Sequence, residues 1–117
     1  MRQADSETAA RIVDMTLRLG DERGWSALHL HEIATALQLP LAELVRHYPQ
    51  QDAIAEAWFD RADAGLLACA ERPGWAMERP RQRLLQAMLA WLDVLAPHRR
   101  LTAEMLGYKL QPEHLHL

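Results

Sequence analysis

Apolar residues recur at helical spacing along most of the chain. Ile12, Met15 and Leu19 stand at i, i+3 and i+7, with Val13 and Leu17 beside them, which predicts a helix over about 6–22 with one apolar face. Asp5 or Ser6 supplies a short side-chain oxygen for the free amides of its first turn, and Gly24 follows its last turn as a stop. Trp25, large and apolar at that turn, is expected to plug the core. A second helix is predicted over 30–37, with Leu30, Ile33, Ala34 and Leu37 facing inward. His29 precedes it and Glu32 lies three residues on, a capping-box spacing in which His takes the usual place of Ser or Thr.

Gln38-Leu39 turns the chain, and Pro40 suits the first position of a third helix over 41–47, anchored inward by Leu44. Pro49 keeps Tyr48 out of helical geometry and ends that helix. A long fourth helix over 51–71 carries Ile54, Trp58, Ala62, Leu66 and Cys69 or Ala70 on one stripe, and Arg72-Pro73-Gly74 breaks it. After a connector over 75–79, Pro80 opens a fifth helix to about 95, with Leu84, Met88, Trp91, Leu92 and Leu95 as its inner stripe. Pro97 stops it, a sixth helix covers 99–110, and Pro112 has the look of one more helix start. The pattern is all-α. Its close, soon after Pro112 in an apolar-periodic segment, reads as an interrupted domain.

Composition adds class and compartment. Half of the 117 residues are apolar, a quarter charged and only 6% aromatic, which suits an aliphatic helical core and excludes a disordered chain. The lone cysteine, Cys69, rules out an internal disulfide framework and reads as a small apolar filler. The polar first ten residues contain no apolar signal segment, and no stretch is long enough to span a bilayer, so a cytoplasmic protein is expected. There is no Gly-rich phosphate loop and no Cys-His spacing suited to zinc. No serine stands beyond Ser6 and Ser26, and no carboxylate pair stands out. An enzyme is not expected, nor a cofactor or bound metal.

The order of elements has more to say. Helix, Gly-aromatic, short helix, three-residue turn, short helix, Tyr-Pro and long helix together resemble the N-terminal domain of TetR/AcrR-type transcriptional regulators. The matching residues run from Ile12 to Leu19 and continue with Glu22-Arg23-Gly24-Trp25. Glu32-Ile33-Ala34, Leu37, Leu39, Leu44, Arg46, Tyr48-Pro49, Asp52 and Ile54 follow. The match runs without gaps over about 12–58 and is specific as a spacing pattern. It implies a helix-turn-helix DNA-binding domain over 1–62, with the motif itself at 29–48. A partial helical ligand and dimerisation domain over 63–117 would follow, joined through the long helix.

In that family the third helix enters the major groove, the second crosses the backbone, and a homodimer reads a near-palindromic operator in double-stranded DNA. The resemblance thus implies base-facing positions at Leu41, Ala42, Glu43, Val45 and His47, and backbone-facing positions at His29, His31, Arg46 and Gln51. It also implies a small apolar effector bound by the C-terminal half, for which Trp75 and Trp91 are the candidate ligand-lining residues. Their other reading, the commoner one for a tryptophan, is core. Family dimers pair through late C-terminal helices that the pattern here does not supply.

The departures fall on the surface. Where the family often has a cation, a small residue, Thr and Tyr across the groove-facing turn, this chain has Leu41, Ala42, Glu43 and Val45. Gln51 replaces a frequent Lys, Leu28 and His29 replace paired hydroxyls, and Gln38 replaces the turn glycine. Glu43 is able to read a cytosine amino group, or is a solvated carboxylate that repels phosphate. Arg46 is a phosphate clamp or a solvated helix residue. His29 and His31, two apart at a helix start, are expected to point in different directions.

Charge bears on the same question. Residues 1–64 carry six Arg against eleven acids, a net −5, whereas 65–117 carry seven basic against five acidic residues, a net +2. A DNA-binding half is normally the basic one. A second resemblance follows from this. The lipid-binding accessory protein of ubiquinone biosynthesis keeps the same scaffold, has lost DNA binding and offers an apolar cavity to isoprenoid lipids. Its corresponding segment also carries Gly-Trp after the first helix.

Overall fold

The structure, a computed structural model, describes residues 2–110; the helix start expected at Pro112 lies outside them. Six α-helices follow in order: α1 Arg2–Arg23, α2 Leu30–Leu37, α3 Leu41–His47, α4 Gln51–Cys69, α5 Pro80–Leu95 and α6 Arg99–Lys109. Short 3-10 turns at Trp75–Met77 and Ala96–His98 lead into α5 and α6. The bounds of α2, α3 and α5 agree with those expected. Helix α1 begins four residues early. No Gly or Pro interrupts its start, Gln3 Nε2 donates to Glu7 one turn on (3.3 Å), and Asp5 is engaged elsewhere. Pro40 sits at the N-cap of α3 rather than inside it.

Ile12, Val13 and Leu17 of α1 meet Leu28, Ile33 of α2, Leu44 of α3 and Ile54 of α4 in one buried cluster. Trp25 plugs it from the α1–α2 turn, 3% exposed. Burying such side chains contributes about 1.5–3 kcal/mol each relative to exposure, which is what holds the two short helices in place. The cluster runs on without a break into Trp58 and Ala62 of α4, Leu95 at the end of α5, and Leu101 and Met105 of α6. Cys69 is fully buried.

Two glycines set the helix spacing. A Cβ at Gly20 would lie 2.6 Å from the Leu101 side chain, and one at Gly65 the same distance from Val94. Their bare backbones let α6 close on α1 and α5 close on α4. Helix α5 then rests on α4 through Val94, Leu95 and Trp91, whose ring stacks on Phe59 with centroids 6.4 Å apart. This corrects the expected inner stripe of α5. Leu84, Met88 and Leu92, with Leu85 and Leu89, are about half exposed or more, and only Leu95 is buried. Their apolar arc is wider than the face one neighbouring helix covers.

The turn between α2 and α3 closes in a Schellman arrangement. Leu39 N–H donates to Ala34 O (2.9 Å) and Gln38 N–H to Thr35 O (3.1 Å), with Gln38 at φ 56°, in the left-handed region. A side chain there carries a cost of about 1–2 kcal/mol that glycine avoids. Gln38→Gly is therefore expected to stabilise the protein by about 1 kcal/mol, net of glycine's own entropy cost. Urea unfolding of the two proteins checks this; an unchanged or lower midpoint would show that the turn is unstrained.

Candidate nucleic-acid interface

Helix α3 is held from behind by Leu44, which is completely buried, and at its end by Tyr48, whose hydroxyl donates to Ala9 O of α1 (3.3 Å). Burial also pushes the Tyr48 phenol above its ordinary pKa, so it stays a donor. With Leu44 turned in, Leu41, Ala42, Val45 and Arg46 are exposed and share one side of the helix at i, i+1, i+4 and i+5. Glu43 and His47 are half-buried on its flanks. The outer face thus presents two aliphatic side chains, a methyl group and one guanidinium.

That guanidinium is already engaged. Arg46 Nη2 lies 3.1 Å from Glu43 Oε1 and 3.3 Å from Asp5 Oδ1, the latter reaching across from the first turn of α1. Glu43 and Asp5 raise the Arg46 pKa still further above its ordinary value. His47 Nε2 lies 3.5 Å from the same nitrogen. A phosphate reaching this face must compete with two carboxylates. Asp5 could not be found from sequence. It stands forty-one positions before Arg46, and nothing local marks the pair.

The backbone-facing candidates divide. His29 and His31 are both exposed at the start of α2, but their rings stack nearly parallel, with centroids 5.7 Å apart and 4° between planes. The expectation that they diverge is thus corrected. His29 is the N-cap, with extended backbone at φ −122°, ψ 150°, so helical geometry does not set its direction. Glu32 Oε1 accepts from the His29 N–H (3.0 Å) and the same carboxylate pairs with Arg23. Gln51 is half-buried, and its Nε2 donates to Trp25 O (2.8 Å), tying the start of α4 to the α1–α2 turn.

Behind this head, α6 and the turn before it join it at four places. His98 Nδ1 lies 2.6 Å from Asp21 Oδ2, and Glu104 Oε1 accepts from Trp25 N–H (3.2 Å). The Trp58 indole donates to the buried Thr102 hydroxyl (2.9 Å), and Lys109 pairs with Asp52 (3.2 Å) and Glu56 (3.3 Å). Thr102 Oγ1 in turn donates to His98 O (2.7 Å), closing a small buried network.

Between the end of α5 and α6 lies an open groove of about 300 Å³ walled by Trp91, Leu92, Leu95, Leu106, Thr102 and Arg99. Trp91 turns its ring to the groove and its Nε1 to Asp63 (3.0 Å). Trp75 is half-buried in the 3-10 turn before α5 and is not part of this wall. Among the described residues there is no cluster of three or more His, Cys, Asp or Glu able to hold a metal, and no helix long and apolar enough to cross a membrane.

No family model matches the chain, and no curated protein does. Among solved structures, the chain is similar to a TetR transcriptional regulator from Nitrosomonas europaea ATCC 19718, at 34% identity and a TM-score of 0.86. The likeness covers 92% of this chain and 62% of that one, so the chain spans less than two thirds of that regulator's length. It extends through the described helices well beyond the 12–58 motif. It does not favour the second resemblance, to the lipid-binding accessory protein.

Proposed function

The chain has the TetR-type fold, and from that premise we propose that it is a transcriptional regulator that binds double-stranded DNA through α2 and α3. One observation carries this reading. The burial of Leu44 leaves a contiguous outer face on α3, with Leu41, Ala42, Val45 and Arg46 all exposed. A helix held this way is able to lie in a major groove, with the His29–His31 pair at the start of α2 beside it. The solved regulator, similar over nearly the whole chain, supports the same reading. Residues 1–62 form the DNA-binding unit, and residues from 63 onward contribute helices to an effector-binding half.

The chemistry of α3 favours a particular kind of contact. Leu41, Ala42 and Val45 offer apolar surface of the sort that packs on thymine methyl groups, and Glu43 is an acceptor for a cytosine amino group. Arg46 is the phosphate contact, made at the expense of its pairs with Glu43 and Asp5.

Titration against genomic DNA fragments at two salt concentrations tests the proposal. Real phosphate contacts make log K fall with log salt by about 0.9 per contact. Arg46→Ala is expected to weaken binding to all sequences alike and flatten that slope by about one contact. Glu43→Ala is expected to change which sequence is preferred. Absence of binding at low salt would overturn the reading, and binding indifferent to both substitutions would remove α3 from the interface.

A further inference from the structure

We propose that the groove between α5 and α6 binds an amphipathic carboxylate, its apolar tail on Trp91, Leu92, Leu95 and Leu106 and its head group on Arg99. This rests on the reading of the second half as an effector-binding unit and names the class of effector.

The polar groups of the wall decide the class. The Thr102 hydroxyl accepts from Trp58 Nε1 (2.9 Å) and donates to His98 O (2.7 Å), so its hydrogen is committed inside the protein. The indole N–H of Trp91 is given to Asp63 (3.0 Å). Neither is offered to a ligand. Arg99 is different. It stands at the first position of α6, is exposed, and has no ion pair or hydrogen bond to another described residue.

Among the described residues, the otherwise aliphatic and aromatic wall therefore carries one uncommitted polar side chain, a permanent cation with donors only. Such a wall suits a ligand that is apolar over most of its length and anionic at one end. A planar carboxylate matches the guanidinium fork. Arg99 repels a cationic amphiphile, and a neutral one leaves it unused.

Size sets the tail. At ~30 Å³ per water-sized group, about 300 Å³ accommodates roughly ten heavy atoms. Decanoate is therefore the probe, used below its micellar range, with decanol and decyltrimethylammonium as neutral and cationic partners of equal tail. Calorimetric titration into the full chain, without DNA, reads binding directly. Two variants accompany it. Arg99→Gln removes the proposed head-group partner, and Arg100→Gln removes the neighbouring exposed cation, which is not part of the groove wall.

The expected result is saturable binding of decanoate, weakened roughly three- to tenfold by Arg99→Gln and unchanged by Arg100→Gln, with decanol weaker and the cation weakest. Equal loss in the two arginine variants would reduce the effect to general charge and overturn the assignment. So would decyltrimethylammonium binding as well as decanoate. Binding of none of the three would remove the groove as an effector site. Because no DNA is present, each of these outcomes is independent of whether α3 binds an operator.

Discussion

Trp58→Ala is expected to destabilise the protein by about 3–5 kcal/mol, a large share of the ~5–15 kcal/mol that holds a domain of this size. Trp58 lies where the N-terminal helices, α4 and α6 share one core, and it is 4% exposed. Its indole ring stands edge-on to His98, with centroids 5.4 Å apart, and its N–H is satisfied by Thr102. Truncation leaves a cavity and strips Thr102 of its indole partner at once. Trp58→Phe separates the two effects. It keeps most of the ring and loses the hydrogen bond, so it should cost less than half as much as alanine.

Thr102→Val is the reciprocal change. It strands the buried indole N–H at a cost of about 1–3 kcal/mol. In urea unfolding, the Trp58→Phe/Thr102→Val double variant should cost clearly less than the sum of the two single changes, because each removes the same hydrogen bond. Additive costs would mean that the Trp58–Thr102 contact contributes nothing of its own. Loss of the α6 contacts alone, with the N-terminal helices still folding cooperatively, would show that the shared cluster is not one cooperative unit.

Asp5→Asn with Glu43→Gln should strengthen binding to DNA by about tenfold at low salt if α3 is the reading helix. Both carboxylates hold Arg46, and both add negative charge to a face that must approach phosphate. Removing them frees one cation and withdraws two repelling charges. Asp5→Asn alone is the more specific test. It lies on α1, away from the bases, and should raise affinity for every sequence equally, whereas Glu43→Gln should also shift preference. These pairs are exposed and screened by solvent, so neither change should alter stability measurably. Unchanged affinity in the double variant would mean that Arg46 does not meet the backbone.

The acidity of the first half, met in the sequence as a net −5, takes a more specific form in three dimensions. Among the described residues, three of the six Arg of that half, Arg23, Arg46 and Arg61, are paired, with Glu32, with Glu43 and Asp5, and with Asp14 at 2.6 Å. Phosphate contact at α3 would therefore proceed by exchange of partners at Arg46. This predicts weak non-specific affinity and a preference carried by the apolar contacts of Leu41 and Val45.

Local chemistry determined a good deal by itself. Helical spacing of apolar residues, Gly24 after one helix, Pro40 before another and Pro49 after Tyr48 are signals that act within a few residues. They placed α2, α3 and α5 at their observed bounds and marked Leu44 and Trp25 as core. Tertiary structure alone decided what those helices show to the outside. Asp5 reaching Arg46, Glu104 reaching Trp25 and Thr102 reaching Trp58 join residues 41, 79 and 44 positions apart, separations at which composition and periodicity carry no information. The same holds for α5. Its sequence marks an apolar arc, but which part is buried depends on the close approach that Gly65 allows to α4, and that contact leaves Leu84, Met88 and Leu92 on the surface. Spacing along a helix fixes directions relative to its own axis; only packing against a second helix fixes what lies in those directions.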